Sequence, residues 1–264
     1  MNFPNSLKTA NFAVPKKRTY LNNRTRRMKK NFLKVQSVAF IAMLFPLSLK
    51  AQDKVEAHIG ADIVSGYIWR GQDSGNISIQ PEISLGYKGF SITAWGSVGF
   101  DKEDAKELDL TLGYEYKGFS ISVTDYWYDG GPGFFHFGAT NTNHTFEAQI
   151  GYDFDFLAIN WYTNFAGNDG LTANGNRAYA SYISLSAPFR LGGLDWTAEV
   201  GATPWANSYY NANKGGANGF EVADVSISAA KEIKITSHYA LPVSAKLTWN
   251  PATEDTYFVF GISF

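Results

Sequence analysis

From Val55 onward, hydrocarbon and polar side chains alternate with a period of two, the period of a strand whose faces meet different surroundings. In VEAHIGADIVSGYIW the odd positions include Val55, Ala57, Ile59, Ala61, Ile63, Tyr67 and Trp69, and the even ones include Glu56, His58 and Asp62. Ile77, Ile79, Ile83, Leu85 and Tyr87 are set against Ser78, Gln80, Glu82 and Ser84 in the same way, and Leu108, Leu110 and Leu112 against Glu107, Asp109, Thr111 and Glu115. Runs of this length exceed the usual soluble strand. Carried to the C-terminus, the pattern predicts twelve strands: four within 55–116, then near 119–128, 144–155, 157–165, 178–189, 194–205, 221–234, 240–249 and 256–264.

The connections alternate in length. Lys88-Gly89, Lys117-Gly118, Asp155-Phe156, Leu191-Gly192-Gly193 and the stretch around Thr236-Ser237 are tight, whereas RGQDSGN, YDGGPGFFHFGATNTN, AGNDGLTANGN and NSYYNANKGGANG are long and polar. This is the layout of an all-β, transmembrane, antiparallel up-and-down barrel with short periplasmic turns and longer extracellular loops. A soluble sandwich would alternate too, but it has no reason to collect rings at both ends of its apolar face. Here Trp69, Phe100, Trp127, Phe165, Tyr179 and Trp249 fall beside long loops, and Tyr87, Phe90, Tyr114, Tyr116, Tyr152 and Trp196 beside short turns, as two girdles. Asp125 and Ser181 interrupt the apolar phase, and Pro81 inside a strand implies a bulge.

The last strand ends TYFVFGISF, with Phe258, Phe260, Ile262 and Phe264 on one face. An edge of that kind would aggregate in water, but in a closed barrel it faces lipid and pairs with the first strand. A terminal aromatic after alternating hydrophobics also looks like the signal read by the barrel assembly machinery.

Met28 to Lys34 form a basic region followed by the apolar run VQSVAFIAMLFPLSL, and Leu49-Lys50-Ala51 follows as a cleavage site. Residues 1–51 therefore read as an upstream extension plus a cleaved secretory signal peptide, with translation starting at Met28 and the barrel domain occupying 52–264. That leader holds 11 of the 23 Lys and Arg and none of the 24 Asp and Glu, which leaves 12 basic against 24 acidic residues and a net charge of −12. No basic surface remains to neutralise phosphates, so a nucleic-acid partner is not expected. The absence of cysteine excludes disulfides, a thiol nucleophile and Cys-based metal sites.

The polar phase places Glu56, His58, Asp62, Glu82, Trp95, Asp109, Glu115, Glu147, Asp195, Glu199, Asp224 and Lys246 in the lumen, with Arg70 beside them and Glu107 and Asp153 at the mouths. So many carboxylates with so few cations need water or bound cations, since a dry unpaired carboxylate costs several kcal/mol. Inward Tyr126, Tyr128, Tyr162 and Tyr182 are positioned to narrow the pore, and the Gly130–Phe135 loop is long enough to fold in. No phosphate cradle, metal-ligand spacing or catalytic constellation is present. His136 and His144 are too loosely spaced for a metal site, and His58, near Glu56, reads as a lumen residue rather than a relay. No cofactor or enzymatic activity is expected.

The stretch from Asp62 to Phe100 resembles the start of the TorF family, bacterial envelope proteins that are porins by name. The likeness lies in Tyr67-Ile68-Trp69-Arg70-Gly71, in Gln80 of the next strand and in the Gly89-Phe90 hairpin leading to Ala94-Trp95-Gly96, and it extends through Leu108-Asp109-Leu110 and Thr124-Asp125-Tyr126. It covers about half of the mature chain and implies a pore, but no substrate and no catalytic residues. Two functions are expected from these readings. One is a passive, cation-favouring outer-membrane channel for small solutes. The other is a non-conducting barrel that is structural or binds through its loops, with Tyr209 and Tyr210 as contact surface. The chain carries no signature of oligomeric state.

Overall fold

The computed structural model describes residues 55–264 apart from positions 103, 105, 140 and 238. The upstream extension and signal peptide expected in 1–51, and His238, lie outside the described residues. The elements in order are β1 (Glu56–Val64), β2 (Ile68–Trp69), β3 (Gln72–Asp73), β4 (Ser78–Tyr87), β5 (Phe90–Gly99), β6 (Glu107–Tyr116) and β7 (Phe119–Tyr128). They continue as β8 (His144–Asp153), β9 (Ala158–Gly167), β10 (Ser181–Leu191), β11 (Leu194–Thr203), β12 (Glu221–Lys234), β13 (Ala240–Asn250) and β14 (Asp255–Ser263). All but β2 and β3 form one closed antiparallel barrel of twelve strands. Closure is made by β1, which pairs with β4 on one side and with β14 on the other through Asp62↔Ser263, Ile63↔Ile262 and Val64↔Gly261.

The burial pattern is inverted relative to a protein folded around an oily core. Along β4, Ser78, Gln80, Glu82 and Ser84 are buried while Ile79, Ile83 and Leu85 are exposed. Ile92, Leu112 and Phe258 on other strands are 61%, 58% and 68% exposed. The same alternation that makes a strand amphipathic has turned its hydrocarbon outward all round the wall.

Two of the short connections are Lys-Gly pairs with both residues at positive φ, 50° and 89° at Lys88-Gly89 and 50° and 86° at Lys117-Gly118. These are the angles of the two-residue turn whose twist matches paired strands. In each, the lysine ammonium lies over the preceding tyrosine ring, Lys88 at 5.3 Å from Tyr87 and Lys117 at 5.0 Å from Tyr116.

The structure corrects three sequence expectations. The β4–β5 register is the same on both sides of Pro81, with Ile79↔Val98 and Glu82↔Trp95, so there is no bulge there. The ladder lapses because proline has no N–H, and Pro81 faces outward opposite Ala61 on the other neighbour. The register shifts instead at Phe146/Glu147 in the β8–β9 pair and at Gly201/Ala202 in the β11–β12 pair. The first strand stops at Val64 rather than running on to Trp69, and Tyr67 and Trp69, expected on the apolar outer face, are 3% and 1% exposed inside the barrel.

The Gly130–Phe135 loop lies against the outside of the wall, not in the lumen. His144, on the outward phase of β8, bonds Asp125 through Nδ1 at 2.8 Å and approaches the Phe134 carbonyl through Nε2, while Phe137 stacks on its ring at 4.2 Å. Asp125 is tolerated on the outer phase because this histidine and the loop covering it supply its partner.

Candidate functional site

The chain leaves the wall after Ser65, whose N–H donates to the Phe260 carbonyl, and turns into the lumen as a small hairpin of β2 and β3. Its turn is Arg70-Gly71, at φ 48° and 78°. This is the same cation-glycine turn that closes the outer hairpins, with an aromatic residue before it in each case. What distinguishes it is where it points.

Arg70 is held from every side. Its Nη1 and Nη2 donate to Glu147 at 2.6 and 2.8 Å, and Nη1 also donates to the Tyr210 hydroxyl at 2.5 Å. The guanidinium carbon lies 4.0 Å from the Tyr162 ring centre, 4.3 Å from Trp69 and 4.8 Å from Tyr182. The Arg70 and Glu147 side chains are 9% and 2% exposed. A two-pronged guanidinium–carboxylate pair is the strongest polar contact available to these side chains, and stacked rings add to it where water is excluded.

Each wall of this cage comes from a different part of the chain. Glu147 is on β8, Tyr162 on β9 and Tyr182 on β10, while Tyr210 arrives from the long connection between β11 and β12. That connection is shaped by Asn207, whose Oδ1 accepts from the Tyr209 and Tyr210 N–H groups and whose Nδ2 donates to Thr203 Oγ1. Tyr210 then stacks between Trp69 at 5.9 Å and Tyr182 at 5.5 Å. Tyr126 donates its hydroxyl to Glu147 at 2.9 Å, giving the carboxylate a third hydrogen bond, from a second residue.

The two register shifts sit where the hairpin docks. One adjoins Glu147, and the other leaves Ala223 as the extra residue of β12, its carbonyl against Gly71. Bulges re-aim side chains and carbonyls locally, which is the service needed here. The Gly71 carbonyl accepts from Asn250 Nδ2 at 3.0 Å, and the same amide donates to Asn211 at 3.0 Å, so the hairpin and the β11–β12 connection share one anchor. A Cβ at Gly71 would overlap the Ala223 carbonyl oxygen, in a backbone conformation disfavoured for L-residues. Gly71→Ala is expected to undock the hairpin at a cost of about 1–3 kcal/mol. Limited trypsin digestion of the folded barrel should then cut after Arg70, a bond protected in the wild type.

The inward residues expected from the sequence divide into two levels. Near the long loops, Glu107 is buried and accepts from the Tyr67 hydroxyl at 2.8 Å, so it is not at an open mouth. Asp109 is buried on the same strand, and Asp224, fully buried, faces Lys246 at 3.6 Å. Glu82 is buried, and Trp95 packs against Tyr67 with ring centres 5.7 Å apart. Asp62 and Glu199 are half-buried. Toward the short turns, Glu56 and His58 are exposed, Glu115 and Asp153 are half-buried, and Asp195 meets Arg190 at 3.5 Å. The half nearest the long loops is thus filled by Trp69, Tyr209 and Tyr210 packing on Tyr126 and Tyr182, while the other half is a polar vestibule that includes Ser91, Ser122, Gln149 and Ser186, each in part solvent-accessible.

Tyr209 and Tyr210 are therefore not a contact surface; they are 4% and 0% exposed. The sequence reading missed the hairpin because Tyr67 and Trp69 continue the apolar phase of β1. The signal that marks it is the aromatic-cation-glycine triplet, present at Tyr87-Lys88-Gly89, Tyr116-Lys117-Gly118 and Trp69-Arg70-Gly71.

No protein-family model matches this chain, and no curated protein matches it.

Proposed function

We propose that this protein is an outer-membrane channel for small solutes, exported by the N-terminal signal peptide and closed at its long-loop end, in this conformation, by the hairpin around Arg70. The observation that carries the reading is the barrel's inverted wall, hydrocarbon outside and polar inside, which suits a solute path through lipid and no aqueous compartment. The exposed Phe258, Phe260 and Phe264 fit recognition by the barrel assembly machinery, and the likeness to the TorF porins points the same way. The long-loop end of the barrel is extracellular and the short turns periplasmic on this reading. Carboxylates outnumber cations in the lumen, which favours cations over anions in transit.

The test is planar-bilayer recording of the mature protein under a salt gradient, for the wild type and for Gly71→Ala. Small or infrequent steps from the wild type, larger steps from the variant and a reversal potential on the cation side are the expected results. Silence from both, in protein shown to be folded, would instead establish a non-conducting barrel.

A further inference from the structure

The Arg70 cage has the composition of a ligand site. We infer that the barrel interior is a recognition site for solutes bearing a guanidinium group, occupied in the closed state by the chain's own Arg70. As an account of what passes through, this rests on the channel reading above; as an account of a binding site, it stands on the cage alone.

A lysine or a metal ion would use Glu147 as a point charge, but here both carboxylate oxygens are taken by two nitrogens of one planar group at 2.6 and 2.8 Å. The ring faces of Tyr162 and Tyr182, at 4.0 and 4.8 Å, suit a flat, weakly hydrated cation better than a compact ammonium. Glu147, Tyr162 and Tyr182 belong to three consecutive wall strands, so these contacts stay in place when the hairpin leaves. Trp69, by contrast, rides on the hairpin that leaves, and Tyr210 on the β11–β12 connection rather than on the wall.

The wall also offers more polar groups than Arg70 uses. Asn164, the register partner of Glu147, is fully buried with both side-chain polar atoms lacking hydrogen-bond partners, and so is the Tyr182 hydroxyl, on a side chain 1% exposed. Buried polar groups without partners are uncommon in folded proteins. Here they line the same interior as the cage and would serve a solute larger than the arginine head group. The hairpin thus acts as a tethered competitor, whose advantage over a free solute is its high effective concentration.

The experiment removes the tethered ligand and supplies a free one. Arg70→Gly keeps the turn, because glycine adopts positive φ without steric cost, and removes the Arg70 side chain with its guanidinium while leaving the wall residues of the cage untouched. Isothermal titration of the folded variant in detergent with methylguanidinium at millimolar concentration should show saturable binding. The wild type should show none, and methylammonium should bind Arg70→Gly more weakly. Adding Glu147→Gln to Arg70→Gly should weaken methylguanidinium binding by about tenfold or more. If Arg70→Gly does not fold, Arg70→Asn carries the same expectation, since asparagine also suits the turn. Absence of saturable binding by a folded variant, or equal binding of the two amines, overturns the assignment. Conductance recorded on the same preparation separates the two readings: binding without current keeps the site and refutes the channel, and current without binding does the reverse.

Discussion

Glu147→Ala is expected to expose the Arg70-Gly71 turn of the otherwise intact barrel, so that trypsin cleaves after Arg70 about a hundredfold or more faster than in the wild type. The substitution removes the carboxylate that accepts two guanidinium bonds and the Tyr126 hydroxyl, and leaves a cation buried without a counter-charge. Breaking a buried pair from one side costs about 3–5 kcal/mol, which corresponds to about two to four powers of ten in an equilibrium constant. The chain can escape that cost by letting the hairpin swing out, since only the Tyr67–Asp73 segment need move. The loss therefore falls on hairpin docking, and the stability of the barrel in urea declines by less than the full amount. Combining Glu147→Ala with Arg70→Gly should recover much of the loss, because no unpaired charge is then buried. Unchanged protection of Arg70 in folded Glu147→Ala would show that the pair does not hold the hairpin.

A second large effect is expected on the outer wall. Leu112 is 58% exposed near the middle of β6, between Ile92 and Val123 on the neighbouring strands. If lipid surrounds this band, Leu112→Arg costs about 2–4 kcal/mol in reversible unfolding from lipid vesicles and lowers assembly yield. Thr111→Arg, one residue away and facing the acidic lumen, should cost under about 1 kcal/mol, the loss of its bond to Thr124 included. Leu110, which the alternation alone suggests as the probe, is a poorer choice. Its register partner on β7 is Asp125, which would give a new arginine a counter-charge on the outer face. Equal behaviour of Leu112→Arg and Thr111→Arg would refute the inside–outside assignment.

Which side chains of the wall face inward and which outward was largely legible from the sequence. Each strand separates two surroundings, so its own side chains must alternate, and no knowledge of distant residues is needed to see it. The exceptions were less legible. Asp125 reads as an error in the outer phase until His144, nineteen residues on, is found beside it. Pro81 suggests a bulge, yet the ladder accommodates it by omitting bonds, which no local pattern distinguishes from an extra residue.

What fills the barrel was not legible, for a physical reason. Tyrosine and tryptophan have an apolar body and a polar edge, so a ring suits a membrane interface and a wet lumen equally well. Tyr67 and Trp69 keep the phase of β1, and nothing in the alternation says that the chain leaves the wall at Ser65. The decision is made by partners far along the chain: Glu147 is 77 residues from Arg70, Tyr210 is 140, and Asn250 is 179 from Gly71. By itself, then, the sequence determined a twelve-stranded barrel with hydrocarbon outside, because alternation is imposed on each strand separately. Only the tertiary structure decided that an arginine hairpin fills its long-loop half, because that contact exists only once barrel closure has brought β8, β9, β10 and two loops around the same point.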